Sequence, residues 1–248
     1  SPHGSTKAAL RSSGGGSGSR DYRSAVNHIR AASIWLRSVD PHDAGFLSAI
    51  PRCTNALMKS LIDPSQVLSA GLAAIRSEFK VPEAFPPEVL AAAEAAAKRQ
   101  PDQHADRTAM PFVTLDPATS TDLDQAFSIE QSGSDLLLHY AIADVAWFVE
   151  DGDAIDVEAW KRGETLYLPD GRAGLYPPVL AENAASLLPT GPRPAVVFTV
   201  RVAGDGALRL DGVERAVIRS RAKLAYDSVQ AADLPAGFDE LARRMAAS

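Results

Sequence analysis

The chain has 248 residues, of which 46% are hydrophobic and 23% charged, and a formal net charge of −6. These are ordinary values for a globular protein with core material for one large domain or two small ones, and the acidic balance argues against general coating of nucleic acid. The single cysteine, Cys53, excludes an internal disulfide framework and fits a reducing, cytoplasmic setting, and with no apolar run near the roughly 20 residues that span a bilayer, no membrane association is expected.

The chain opens on Ser1-Pro2-His3 with neither an initiator Met nor a basic-then-apolar signal segment, and is expected to be a fragment, a processed product or a tagged chain. Residues 1–20 carry Ser12-Ser13-Gly14-Gly15-Gly16-Ser17-Gly18-Ser19, a flexible or tag-like segment. Residues 21–110 read as a helical N-terminal region. Amphipathic stretches fall around Tyr22–Arg37 and Phe46–Ile62, and further helices are predicted over Ser65–Phe79 and Pro86–Arg99, the last with prolines near its start. Gln100–Met110 reads as an irregular connection.

At Pro111 the character changes. Strand patterns follow at Phe112–Leu115, Ala126–Gln131 and Leu136–Ile142, with a hairpin turn at Gln131–Asp135 between the last two. Asp153 is placed to cap a helix running to about Glu164. Leu166–Leu168 is a short strand ended by Pro169-Asp170-Gly171, and Pro178–Leu187 reads as a helix. A second hairpin, Ala195–Val202 with Ala207–Ile218, turns at Gly204-Asp205-Gly206, and helices are predicted near Ala222–Ala231 and Phe238–Ala246. The expected fold class is α+β, a largely antiparallel sheet with surrounding helices over 111–248, preceded by the helical segment.

Chemistry concentrates in Asp116-Pro117-Ala118-Thr119-Ser120-Thr121-Asp122-Leu123-Asp124-Gln125-Ala126, placed directly after an apolar strand. A strand ending in Asp116 and a loop carrying Asp122 and Asp124 bring carboxylates together, which is electrostatically costly unless a cation sits between them. Hard oxygen ligands without Cys or His nearby favour Mg²⁺ or Mn²⁺ over zinc. Two such ions suit phosphodiester hydrolysis, in which the attacking water and the departing oxygen both need stabilisation. An Asx-type turn, its acids capping backbone N–H groups, accounts for the same spacing, and spacing alone does not choose. Charge distribution points the same way as the metal reading. Residues 111–165 hold twelve Asp or Glu against Lys161, Arg162 and the neutral His139, while Arg215, Arg219, Arg221 and Lys223 follow close together. An acidic centre with a separate basic stretch suits a metal enzyme acting on a polyanion, although solvated polar faces give a similar pattern.

The acidic segment resembles the D-P-x4-D-x-D-D-A signature of the ribonuclease II/ribonuclease R (RNB) family. The resemblance continues in order through His139-Tyr140-Ala141-Ile142-Ala143-Asp144-Val145-Ala146, Thr165-Leu166-Tyr167-Leu168-Pro169, Tyr176-Pro177-Pro178 with Glu182 and Ala185-Ser186-Leu187, and Arg221-Ala222-Lys223-Leu224-Ala225-Tyr226-Asp227. It covers residues 111–230, with a looser match over 66–110. It implies an RNB-like catalytic domain, incomplete at its C-terminus, of a processive Mg²⁺-dependent 3′→5′ exoribonuclease that releases nucleoside 5′-monophosphates from single-stranded RNA. A monomeric catalytic unit is expected. Carried over by position, Asp116, Asp122 and Asp124 are metal-binding or catalytic, with Asp124 the acid on which the chemistry depends most. Tyr167 matches an aromatic that stacks on a base at the RNA 3′ end.

The family's fourth acid is Gln125 here. An amide can lend a carbonyl oxygen to a metal but brings no negative charge. This opens a second reading, an impaired RNB-like protein that binds RNA or a protein partner without turnover. The resemblance also implies an active-site Arg, an aromatic clamp and an oligonucleotide-binding fold further downstream. Arg215, Arg219, Arg221 and Lys223 are candidates for RNA phosphate contacts. Asp144 is a candidate to orient a ligand or to cap a turn, His139 reads as a packed strand residue, and Cys53 as a small hydrophobe.

Overall fold

The computed structural model describes residues 67–246. The stretches predicted around Tyr22–Arg37 and Phe46–Ile62, and Cys53, lie outside the described residues. Helix α1 covers Val67–Glu78 and α2 covers Pro87–Ala96. Pro87 begins α2, where its fixed φ suits the first turn and the missing N–H is no loss.

Nine strands follow: β1 Ala105–Asp106, β2 Phe112–Asp116, β3 Gln125–Ser132, β4 Asp135–Ala143, β5 Leu166–Leu168, β6 Gly171–Ala173, β7 Arg193–Val202, β8 Leu208–Ile218 and β9 Ser220–Ala225. Seven form one sheet in the order β1-β8-β7-β4-β3-β2-β9, and β5 with β6 makes a separate hairpin. The central pairs are antiparallel; β1 on β8 and β2 on β9 run parallel. Gly133, at φ 63°, supplies the left-handed residue that the tight β3–β4 turn requires.

Both faces of the sheet are covered. In β4 the consecutive residues Leu138, His139, Tyr140 and Ala141 are all buried, as expected for a central strand between two layers. One face packs Phe112, Leu123, Ala126, Ala141, Leu187, Val197 and Ile218 together. On the other, Phe127 meets Phe238 of helix α4 (Phe238–Ala246), ring centroids 5.8 Å apart. Helix α3, Ala154–Arg162, is capped by Asp153, whose carboxylate accepts from Asp156 N at 2.8 Å, and stops at Gly163 with φ 75°. Its Ile155 packs with Phe148, Leu180 and the α2 residues Ala93 and Ala96.

The α+β class, the strands in 111–218 and the capped helix match the sequence reading. Elsewhere the elements differ: within the connection expected at Gln100–Met110, Ala105–Asp106 forms β1 against β8, and the expected strand Leu166–Leu168 gains a partner in β6. The helix predicted near Ala222–Ala231 is instead strand β9, which pairs with β2 from Ser220 to Ala225. Its Ala, Lys, Leu and Arg residues favour a helix by propensity, but the open edge of β2 offers backbone partners and tertiary context prevails. The helix predicted over Pro178–Leu187 narrows to a short π-helical turn at Leu180–Ala184.

Candidate active site

The acidic loop is held in place from several sides. Ser120 N donates to Pro117 O at 3.0 Å, closing a turn after β2. Lys223, on β9, donates its ammonium to the carbonyls of Ala118 at 2.7 Å and Ser120 at 2.6 Å. Ser186 Oγ accepts from Leu123 N at 2.9 Å and donates to Thr121 O at 2.7 Å, and Leu187 N donates to Leu123 O at 2.8 Å. Ala143 N donates to Asp124 O at 2.8 Å. Leu123 is fully buried between Asp122 and Asp124, so the two acids flank a hydrophobic anchor. Both acids line the same cleft.

The cleft has a volume of about 610 Å³ and is lined by Asp122 and Asp124 on one side and by Tyr167 and Arg172 of the β5–β6 hairpin on the other. Ile142 and Ala143 at the end of β4, with Glu83 and Phe85 from the segment before α2, contribute further walls. Tyr167 is 76% exposed, so its ring presents a face to the cleft rather than to the core. Arg162 holds the lead-in segment by donating to Ala84 O at 2.7 Å and stacking over the Phe85 ring at 3.6 Å.

Asp116 is half-buried at the end of β2, behind the rim. Its carboxyl is pushed up to about 6, first by burial and then by the charges of Asp124 and Asp122, with Lys223 acting in the opposite direction. The three acids therefore share one electrostatic neighbourhood, in which Asp116, Asp122, Asp124 and Glu182 outnumber the cations Lys223 and Arg172. Carboxylate oxygens under mutual repulsion fit a hard divalent ion in donor type and in charge. In this conformation Asp122 instead faces Arg172, and no three His, Cys, Asp or Glu side chains among the described residues converge as a metal cage. Gln125 begins β3 beside the acids, its Oε1 accepting from the Tyr140 hydroxyl. Burial, followed by the charges of Asp124, Tyr226 and Asp116, raises the Tyr140 phenol above its ordinary range, so it stays protonated and able to donate.

The remaining candidates are placed as follows. Lys223 lies under the loop it holds, and Arg221 donates to Ala109 O at 3.1 Å. Arg219 is exposed. Asp144 makes no side-chain cap and lies outside the cleft lining; it is buried with His104 Nε2 at 3.0 Å and Arg215 Nε at 3.0 Å. His139 is packed, bonding Thr199 Oγ1 and Glu130 Oε2, each at 3.2 Å. Sequence reasoning missed Arg172, whose guanidinium reaches Asp122 Oδ2 at 2.6 Å and Glu182 Oε1 at 2.6 Å. A signal was present: a turn at Pro169-Asp170-Gly171 returns residue 172 to a position opposite Tyr167.

Comparison with known proteins assigns this domain to a family. The RNB domain family model matches residues 104–234, more than half of the chain. The chain belongs to the RNB domain family. It is 40% identical over 129 residues to exoribonuclease 2 of Yersinia enterocolitica serotype O:8, covering 51% of this chain and 20% of that relative. With exoribonuclease 2 of Serratia proteamaculans the identity is 41% over 126 residues, again 50% of this chain and 20% of the relative. The chain thus spans about a fifth of the length of these curated relatives. Among solved structures, Mycoplasma genitalium RNase R in complex with ribose-methylated single-stranded RNA superimposes with a TM-score of 0.59 at 25% identity, covering 71% of this chain and 29% of that one.

Proposed function

We propose that this chain is catalytic-domain sequence of a 3′→5′ exoribonuclease that hydrolyses single-stranded RNA to nucleoside 5′-monophosphates with a divalent metal, Mg²⁺ or Mn²⁺. The observation that carries the reading is the placing of Asp122 and Asp124, with Asp116 behind them, on a cleft that the exposed Tyr167 also lines. Asp116, Asp122 and Asp124 would hold the ion, which when bound supplies an activated water and a counter-charge for the departing oxygen.

The protein's own residues do the rest. Tyr167 offers a stacking face to a terminal base, an interaction that tolerates any sequence and contributes about 1–3 kcal/mol. Lys223 and Ser186 fix the loop backbone, so the carboxylates of Asp122 and Asp124 are presented in a set orientation. Tyr140 holds the Gln125 amide with its oxygen turned inward. A cytoplasmic setting, supported by the single cysteine, and a monomeric catalytic unit complete the proposal.

Gln125 favours a second reading, an RNB-like domain that binds RNA without turnover. The two separate in one experiment: labelled single-stranded RNA is incubated with the protein and Mg²⁺ or Mn²⁺. Mononucleotides released from the 3′ end support the enzyme. Retention of intact RNA in a complex, unchanged by Gln125→Asp, supports the binding protein.

A further inference from the structure

Two arginines line the cleft, and their bonding divides their roles. Arg162 is engaged with Glu158, Ala84 O and Gly174 O, and so belongs to the wall. Arg172 instead reaches across to the acidic loop. Its Nη1 donates to Asp122 Oδ2 and its Nη2 to Glu182 Oε1, both at 2.6 Å, while Glu182 Oε2 accepts from Thr121 Oγ1 at 3.0 Å. Asp122 is one of the acids assigned above to the metal, and the inference rests on that assignment.

An oxygen that accepts a charge-assisted hydrogen bond at this length has that lone pair occupied, and a guanidinium beside it repels a second cation. Arg172 and a divalent ion therefore compete for Asp122. Leaving is easy for Arg172: its side chain and that of Asp122 are each 32% exposed, and pairs of this exposure are weak in water. The hairpin stays anchored when the guanidinium leaves, because the buried Arg162 donates to Gly174 O just past β6 at 3.1 Å and Leu175 N donates to Thr165 Oγ1 across the hairpin base at 3.1 Å. Arg172 is the cross-strand partner of Tyr167, so releasing it frees a cation beside the residue proposed to stack on RNA.

We propose that Arg172 is a positioning residue, a resident counter-charge that holds Asp122 in the metal-free chain and exchanges with the incoming divalent ion. The pair and the bound ion compete for the charge of the Asp122 carboxylate, and the exchange leaves a guanidinium, still tethered to Glu182, with one face available to a phosphate of the substrate strand.

The test is titration of the purified protein with Mn²⁺ alone, without RNA, following free Mn²⁺ by electron paramagnetic resonance. Arg172→Gln is expected to bind Mn²⁺ about two- to fivefold more tightly than the parent, the range set by an exposed ion pair. In an Asp122→Asn background the same substitution is expected to change nothing, because the pair is already broken. A merely structural Arg172 would leave affinity unchanged or lower it, and either result overturns the proposal. A gain that persists in the Asp122→Asn background is a long-range charge effect and also overturns it. Arg172→Lys, which keeps a charge but cannot bridge both carboxylates, is expected between the two and carries the test if the glutamine variant fails to fold. If the parent binds no Mn²⁺, or binds it independently of Asp124, the metal assignment itself has failed.

Discussion

The hydroxyl of Tyr140 donates to the amide oxygen of Gln125, so the residue standing in place of a fourth acid is held by a buried phenol rather than turned freely toward a ligand. Tyr140→Phe removes the donor, water takes its place at the exposed Gln125 amide, and the loss of stability in denaturant unfolding should be at most about 1 kcal/mol. Gln125→Asp adds a charge to the neighbourhood of Asp116, Asp122 and Asp124. It should raise Mn²⁺ affinity by roughly tenfold in calorimetric titration, since charge count tunes such sites. Unchanged affinity would remove Gln125 from the site.

Asp116 titrates near 6 against an ordinary 3.8 because burial and two neighbouring acids oppose its charge. The folded chain binds this proton more tightly than the unfolded chain, so the group's contribution to stability falls as pH rises from about 4 to about 6 and stays low above that. The full shift corresponds to about 3 kcal/mol; partial exposure and screening reduce it to about 1–2 kcal/mol. Asp116→Asn should therefore stabilise the metal-free chain at pH 7 and have little effect near pH 4. Mn²⁺ binding by the parent should weaken as pH drops through about 6, because the ion and the proton compete. A variant no more stable than the parent at pH 7 would contradict the crowding.

Lys223 works on the backbone of the loop rather than on its acids. Lys223→Ala strips the carbonyls of Ala118 and Ser120 of their donor and should cost about 1–2 kcal/mol. Amide hydrogen exchange over 117–124 should quicken more than exchange in the central strands. Because Lys223 also lowers the Asp116 carboxyl, the variant should shift the pH dependence of Mn²⁺ binding upward.

Tyr167 is largely exposed and should bear truncation without loss of fold. Tyr167→Ala should leave the thermal midpoint unchanged within about 1 °C, since surface substitutions of this kind are near neutral. Affinity for single-stranded RNA should fall by about five- to 150-fold, the range corresponding to one lost stacking contact. Weakened RNA binding with an equally lowered midpoint would instead make Tyr167 a packing residue.

The strands around the site were legible because β2, β3 and β4 carry strong apolar patterns and their turns contain glycine and small polar residues. The acidic loop was legible because Asp116, Asp122 and Asp124 follow a strand at once. What the sequence did not reveal depends on distant partners. Ser220–Ala225 becomes a strand only because β2 presents an open edge more than 100 residues away in the chain. Arg172 meets Asp122 only because the β5–β6 hairpin folds over the cleft, and Tyr140 meets Gln125 through the β3–β4 register. His104 reaches Asp144 from a segment that reads as an irregular connection.

A 5′-labelled single-stranded RNA, Mg²⁺ and two proteins, the parent and Asp124→Asn, decide whether the cleft hydrolyses RNA. With the parent the labelled RNA should shorten as a ladder from the 3′ end while chromatography detects nucleoside 5′-monophosphates, and both should be lost in Asp124→Asn while the melting temperature holds. Intact RNA with the parent in both Mg²⁺ and Mn²⁺, or equal degradation by the two proteins, would contradict hydrolysis at this cleft.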